Sequence, residues 1–143
     1  MPAPRTVLDT NVVLAAERSR EPARPNREIM ARWRLGEFTL LYSADIALEY
    51  AEKLEAHGIP ETDLRRFLRA VGILGERVEI QFYHLRSYPV DSDDVCFVLC
   101  ALNGKATHIV TYDGHLLEFP QHDKVKVCVP LEFLRELRAA QAI

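Results

Sequence analysis

One stretch of the chain decides the fold, and it reads Val90-Asp91-Ser92-Asp93-Asp94-Val95-Cys96-Phe97-Val98-Leu99-Cys100-Ala101-Leu102. Three carboxylates precede an eight-residue segment whose only polar side chains are two thiols. A segment this apolar is a helix or strand buried on nearly every side, and we predict a helix. Ser92 or Asp91 is expected to cap it, and Asn103-Gly104 to end it. Capping and compensation of the helix dipole explain one or two of these acids, so the others need a further reason.

Outward from this helix, short β-rich runs alternate with helical patterns along the chain. The predicted strands are Arg5–Asp9, Phe38–Tyr42, Val78–Phe82, His108–Thr111 and Val125–Val129. Helices are predicted between them, and a last amphipathic helix begins at Pro130. This alternation predicts an α/β fold, in which a parallel sheet of about five strands is covered by helices on both faces. We expect residues 1–143 to form a single domain of this three-layer kind.

Composition limits the classes of protein to consider. The 143 residues are 48% hydrophobic, enough for one core, and the formal net charge of -3 gives no general attraction to nucleic acid. Any contact with a polyanion must therefore be local. With no signal-peptide pattern and no apolar run of membrane length, we expect a soluble, cytoplasmic protein. Cys96, Cys100 and Cys128 lie in apolar surroundings without a C-x-x-C pattern, which predicts buried, reduced thiols.

Four acidic residues are predicted to meet at one edge of the sheet. Asp9 ends the first strand, Asp94 begins the buried helix, and Asp113 follows the fourth strand. The carboxyl ends of parallel strands share one edge, and Glu49 can reach it from the helix after the second strand. Convergent carboxylates raise one another's pKa unless a cation neutralises them. Mg²⁺ or Mn²⁺, which bind carboxylate and water oxygens and leave positions open for phosphate, would remove this repulsion.

These acids lie in motifs that together resemble those of PIN-domain ribonucleases. The motifs are Leu8-Asp9-Thr10-Asn11, Ser43 with Glu49, Asp91-Ser92-Asp93-Asp94, and Thr111-Tyr112-Asp113 with Leu116. The resemblance covers essentially the whole chain and is closest to a bacterial and archaeal branch of toxins from type II toxin–antitoxin systems. It implies a PIN-like α/β/α sandwich and Mg²⁺- or Mn²⁺-dependent hydrolysis of phosphodiester bonds in RNA. It also implies a metal-binding and catalytic acidic quartet of Asp9, Glu49, Asp94 and Asp113, with Asp91 as a further metal-binding acid.

Two positions depart from the family pattern. Tyr112 stands where relatives often have glycine, and Ser92 stands where proline is common. Neither change removes a ligand, although Tyr112 would narrow the path of the substrate. Within the same motifs, Asn11 and Thr111 are predicted to contact the substrate.

An arginine-rich segment follows the Asp9 motif. Between positions 18 and 34, six arginines face only two glutamates, which leaves a local excess of four positive charges. The arginines are Arg18, Arg20, Arg24, Arg27, Arg32 and Arg34. Such a segment can bind RNA phosphates, for which Arg24 and Arg27 are the predicted contacts, or an acidic segment of a small antitoxin protein. A merely solvated loop and helix face has the same composition.

Other functions are compatible with parts of the sequence. Asp9-Thr10-Asn11 resembles the Asp-x-Asp start of haloacid-dehalogenase-type phosphatases, but Asn11 cannot be the general acid of that pair. A catalytically silent PIN-like scaffold that binds RNA or a protein partner is the other alternative.

A homodimer is expected, because two helices carry more apolar positions than one small sheet covers. These positions are Leu64, Phe67, Leu68 and Val71 in one helix and Leu131, Phe133, Leu134, Leu137 and Ala140 in the last.

Overall fold

The computed structural model describes residues 2–19, 21, 24–85, 88–89, 91–118 and 125–142. The strands of this part of the chain are β1 (Arg5–Leu8), β2 (Thr39–Tyr42), β3 (Glu76–Arg77), β4 (His108–Val110) and β5 (Lys126–Cys128). The helices are α1 (Thr10–Arg18), α2 (Pro25–Arg34), α3 (Ala44–Ala56), α4 (Glu61–Leu74), α5 (Val95–Asn103), α6 (Gly114–Leu117) and α7 (Pro130–Gln141). A 3-10 turn at Ser92–Asp94 leads into α5.

All strand pairs in the sheet are parallel, and the strand order is β3-β2-β1-β4-β5. β1 lies at the centre, with Thr6 opposite Leu40 of β2 and Val7 opposite Ile109 of β4. Helices link the strands and cover the sheet, as parallel connections require. The predicted three-layer α/β/α sandwich with a five-stranded parallel sheet is therefore confirmed.

The apolar helix of the opening stretch is buried, as predicted. The side chains of Phe97 to Ala101 on consecutive positions of α5 are all buried. Of the two expected caps, Asp91 caps the 3-10 turn that leads into α5, and its Oδ1 accepts a hydrogen bond from the amide of Asp93 at 2.9 Å. α5 itself begins after Asp94, whose side chain makes no capping hydrogen bond. The helix ends before Gly104, where an added Cβ would lie 2.7 Å from Cγ2 of Val78. A side chain at position 104 would therefore force this part of the core apart.

The third strand differs from the prediction. The sheet pairing falls on Glu76–Arg77, two residues before the predicted strand, and residues 78–82 leave the sheet. The amide of Val78 still donates to the carbonyl of Tyr42 at 2.7 Å. Beyond it, the side chain of Asn103 binds the backbone of Gln81 and Phe82. Their backbone groups are thus satisfied by a side chain, which leaves no need for a longer strand.

The apolar residues of α4 and α7 are used within this chain. Phe67, Val71, Phe133, Leu134 and Leu137 are buried, while Leu64 and Leu68 pack half-buried against the same core. Leu131 is 43% exposed, and Ala140 is exposed. The apolar surplus that predicted a homodimer is therefore mostly absent, and this reason for the homodimer was wrong.

The cysteines agree with the sequence prediction. Cys100 and Cys128 are buried, Cys96 is half-buried, and none of the three forms a disulfide. Burial is the main cause that raises the pKa of each thiol to about 12, so all three are protonated near neutral pH. None of the described helices combines the length and apolarity needed to cross a membrane.

Candidate functional site

The site begins where β1 ends. The amide of Asp9 donates to the carbonyl of Val110 at 2.9 Å, which extends the pairing of β1 with β4 by one step. The carbonyl of Asp9 then accepts from the amide of Val12 in the first turn of α1. Strand and helix together hold the carboxylate at the carboxyl edge of the sheet, with 6% of the residue exposed. Burial raises the pKa of Asp9, and the hydrogen bond from Thr111 opposes that rise.

Thr111 connects two of the predicted acids. Its hydroxyl donates to Oδ2 of Asp9 at 2.6 Å and accepts from the amide of Asp113 at 3.0 Å. The residue is completely buried. The hydroxyl of Thr111, which was expected to contact the substrate, makes both of these hydrogen bonds within the chain. It instead orients Asp9 and shapes the turn that carries Asp113.

Asp94 is the most perturbed acid of the site. It ends the 3-10 turn, its exposure is 7%, and its Oδ2 has no hydrogen-bond partner among the described residues. Burial, followed by repulsion from Asp9 and by the interaction with Asp113, raises its pKa to about 7. Close to neutral pH, a substantial share of Asp94 is thus protonated unless a cation compensates the cluster.

Glu49 approaches the same edge from α3. The neighbouring Tyr50 is fully buried, and its hydroxyl donates to the carbonyl of Leu8 at 2.6 Å, which ties α3 to the end of β1. Glu49 is half-buried, and burial raises its pKa while the charge of Lys53 lowers it. Ser43 caps α3 by accepting from the amide of Ile46, so the position of Glu49 along the helix is well defined.

These elements enclose a cleft of about 180 Å³, named here the acidic cleft. It is lined by Asp9, Thr10, Asn11, Leu14, Glu49, Lys53, His57, Asp91, Asp93, Asp94, Phe97 and Asp113. All five predicted metal-binding acids and Asn11 are thus brought together. Lys53 and His57 were not predicted to belong to the site. They follow Glu49 by four and eight residues on one face of α3, and this spacing was visible in the sequence.

The predicted arginine contacts lie outside the acidic cleft. Arg24 lines a groove of about 470 Å³ next to Tyr112 and pairs with Glu21 at 3.1 Å. Arg27 lines a groove of about 300 Å³ with Glu17 and Arg34. Arg20 is outside the described residues. The described arginines therefore do not line the acidic cleft.

A model of one protein family, described as PIN domain, matches residues 5–115. The matched region is more than three quarters of the chain. The chain belongs to the PIN domain family. PIN domains are typically nucleases, and this membership leaves the phosphatase alternative without support. No curated protein matches the chain significantly.

PIN-domain nucleases generally use divalent metals, and the acidic cleft of this PIN domain has the donor chemistry for one. Its acids offer hard carboxylate oxygens, and the buried Oδ2 of Asp94 lacks a partner within the described residues. Among the described residues, no three His, Cys, Asp or Glu side chains are arranged to hold an ion. The fit of the acidic cleft to a metal therefore rests on its donor atoms and on the unpartnered oxygen of Asp94.

Proposed function

We propose that this PIN domain is a metal-dependent endoribonuclease that hydrolyses phosphodiester bonds in RNA. One observation carries the proposal: acids from four separated segments line a single cleft, and Asp94 within it is buried with an unpartnered carboxylate oxygen. Such a cluster costs free energy in the absence of a cation, as the raised pKa of Asp94 reflects. This cost is unexplained if the acids serve only as helix caps.

Asp9, Glu49, Asp94, Asp113 and Asp91 are the residues that would hold Mg²⁺ or Mn²⁺. The bound ion would supply Lewis-acid stabilisation of phosphate charge and a lowered pKa of its water. Thr111 keeps Asp9 and Asp113 in place through its single hydroxyl. Asp94, whose pKa is raised to about 7, would lose its proton when the cluster binds a cation.

A path for the RNA leads away from the acidic cleft. His57 lines both the acidic cleft and a groove of about 610 Å³ that also includes Arg18, Arg27 and Arg66. Arg18 in turn lines the groove of Arg24. Neighbouring grooves thus share lining residues, and arginines line them in a protein whose net charge is negative. We infer that Asn11 contacts the RNA near the acids, and that Arg24 and Arg27 bind phosphates further along.

We further infer that the protein is the toxin of a toxin–antitoxin pair, with a small antitoxin as partner and the cytoplasm as its location. The motif series of the acids supports this role.

A homodimer is also proposed, now supported by exposed apolar residues near the end of α4, where Ile73 and Leu74 are 68% and 48% exposed. We regard residues 1–143 as a single domain, since β5 pairs with β4 although it follows the matched region.

Asp-to-Asn variants test the nuclease directly. Asp9→Asn and Asp94→Asn keep the size of the side chain but remove its charge, so a hard cation loses most of its attraction. We expect Mn²⁺- or Mg²⁺-dependent cleavage of a single-stranded RNA to fall at least about 100-fold in both variants. Asp45→Asn is the matched control, because Asp45 is an exposed acid in the first turn of α3 and does not line the cleft. Wild-type cleavage rates in both test variants would refute the assignment of these carboxylates.

The silent scaffold is the second candidate. It is favoured by the observation that no three carboxylates lie in ligating positions within the part of the chain described by the structure. A scaffold would bind RNA or a partner without any metal dependence. Absence of cleavage with either ion, together with unchanged melting temperature on adding Mn²⁺, would select it.

A further inference from the structure

The side chain of Tyr112 is held by its backbone and by its hydroxyl group, yet half of its surface is exposed to solvent. In the chain it stands between Thr111, which is completely buried, and Asp113, which lines the acidic cleft. Its hydroxyl accepts a hydrogen bond from Nδ2 of Asn26 at 2.7 Å. Asn26 is itself buried in the first turn of α2. A ring held in this way is 50% exposed but has little freedom to turn away from the groove that it borders.

The groove beside Tyr112 is lined by residues that neighbour those of the acidic cleft, although the groove and the cleft share no lining residue. Asn11 lines the cleft, and Ala15 and Arg18 line the groove, four and seven residues later on the same face of α1. At about 1.5 Å per residue, Ala15 lies about 6 Å along the helix axis from Asn11. Tyr112 and Asp113 are consecutive, so their Cα atoms are about 3.8 Å apart. Whatever occupies the groove is therefore next to whatever occupies the cleft.

The chemistry of the groove suits one nucleotide of a single strand. An exposed aromatic face stacks on an unpaired base. Arg18 and Arg24 line the groove with one acid, Glu21, which leaves a net positive charge that attracts phosphate. A base inside a duplex already stacks on its neighbours and cannot use the ring. If Tyr112 served only to hold the structure together, its hydroxyl group would be enough for the hydrogen bond to Asn26, and the exposed face of its ring would have no role.

We propose that Tyr112 is a base-stacking platform for the nucleotide adjacent to the scissile phosphate, which restricts the substrate to RNA that is unpaired there. This inference rests on the proposed ribonuclease function. It adds a specificity-determining residue at a position outside the acidic cluster.

The test is binding of short oligouridine and oligoadenosine strands, each intact or with one abasic position moved along the strand. Binding is measured in EDTA at low salt, so that the RNA stays whole whether or not the cleft holds a metal. For the wild type, we expect one abasic position to weaken binding roughly tenfold. Tyr112→Leu should weaken binding of the intact strand to a similar extent, and the abasic position should then cost nothing further.

Two variants separate stacking from folding effects. Tyr112→Phe keeps the ring but loses the hydrogen bond to Asn26, and it should bind the intact strand within about threefold of the wild type. Tyr83→Leu changes another exposed tyrosine, 67% exposed and outside the groove, and should leave the abasic penalty unchanged. The inference is overturned if Tyr112→Phe binds as weakly as Tyr112→Leu, if no abasic position weakens wild-type binding, or if the wild type binds neither strand.

The result of this binding test can be distinguished from the result of the test for nuclease activity. An abasic penalty that depends on Tyr112 supports the platform even if no metal cleaves the RNA, and the protein is then a single-strand binder. A different result would overturn the platform but leave the nuclease intact. In that case cleavage depends on the metal, and its rate is the same for intact and abasic strands in both the wild type and Tyr112→Leu.

Discussion

Thr111 links the packing of the sheet to the acids of the cleft. Val at this position keeps the shape of the side chain but removes the donor to Asp9 and the acceptor for Asp113. We expect Thr111→Val to lower metal affinity and cleavage by about 10- to 100-fold, because residues that orient metal ligands typically have effects of this size. The measurements are the Mn²⁺ dissociation constant and the cleavage rate.

Thr6→Val is the matched control for that prediction. Thr6 is also a completely buried threonine of the central sheet, but its hydroxyl has no partner among the described residues. Removing an unsatisfied hydroxyl should leave stability equal or higher and cleavage unchanged. Equal effects of the two substitutions would show that Thr111 serves packing alone.

The metal-free protein should reveal the protonation of Asp94 through its stability. The pKa is about 7 in the folded state and about 3.9 in an unfolded chain, so folding favours the protonated form. The contribution of Asp94 to stability is therefore fully present below about pH 4 and is lost as the pH rises to about 7. The free energy of unfolding of Asp94→Asn relative to that of the wild type, measured with urea in EDTA, should therefore rise as the pH increases across this range. A difference that is independent of pH would contradict the repulsion on which the site depends.

At the level of single residues, the sequence predicted which acids meet but not what holds them. The hydrophobic pattern shows where strands end and helices begin, and Asp9, Asp94 and Asp113 lie at such boundaries. Boundaries of this kind meet at the carboxyl edge of a parallel sheet, so the three acids could be predicted to converge. The burial of Thr111 depends on the packing of β4 against its neighbours, which no local pattern shows. Lys53 and His57 could have been found from their spacing after Glu49, but that spacing has meaning only once one face of α3 is known to border the cleft.

Among the elements, β3 shows how a side chain can override a strand pattern. Val78 to Phe82 alternate in a way that is typical of a strand. In the structure, the amide group of Asn103 binds the backbone of Gln81 and Phe82 from the end of α5. This contact joins residues more than twenty positions apart, so no reading of a short window could predict it. The elements with strong local signals, α5 above all, were predicted correctly.

α7 completes the core although it lies beyond the residues matched by the family. Phe133 is fully buried, and its ring centroid lies 5.1 Å from that of Phe38 and 5.1 Å from that of His108. Phe133→Ala should lower the free energy of unfolding by about 3 to 5 kcal/mol, because a large cavity opens beside β4. Leu131→Ala, on the exposed side of the same helix, should change it by less than about 0.5 kcal/mol. Urea denaturation of both variants measures the difference, and a loss below about 1 kcal/mol for Phe133→Ala would mean that α7 is dispensable to this core.

In the folded molecule, acidic and basic side chains are concentrated in different places, although their charges nearly cancel in the total. The net charge of -3 hides an acidic cleft at the carboxyl edge of the sheet and, elsewhere along α1, grooves lined by arginines. The arginine excess between positions 18 and 34 was visible in the sequence. Its placement beside the cleft, and not within it, depends on how α2 packs against α1, which only the tertiary structure defines. Such an arrangement suits a polyanion that runs along the grooves and enters the cleft where a cation compensates the acids.

The central claim is that the acidic cleft binds a divalent cation, and calorimetric titration of the wild type and Asp94→Asn with Mn²⁺ tests it most directly. Titrations at pH 6 and pH 8, each in two buffers of different ionisation enthalpy, report both affinity and protons released. With a pKa of about 7, Asp94 of the wild type should release most of one proton per ion at pH 6 and little at pH 8. Asp94→Asn should bind Mn²⁺ at least about tenfold more weakly and release no such proton. No measurable binding by the wild type, or equal affinity and proton release in the two proteins, would contradict the claim.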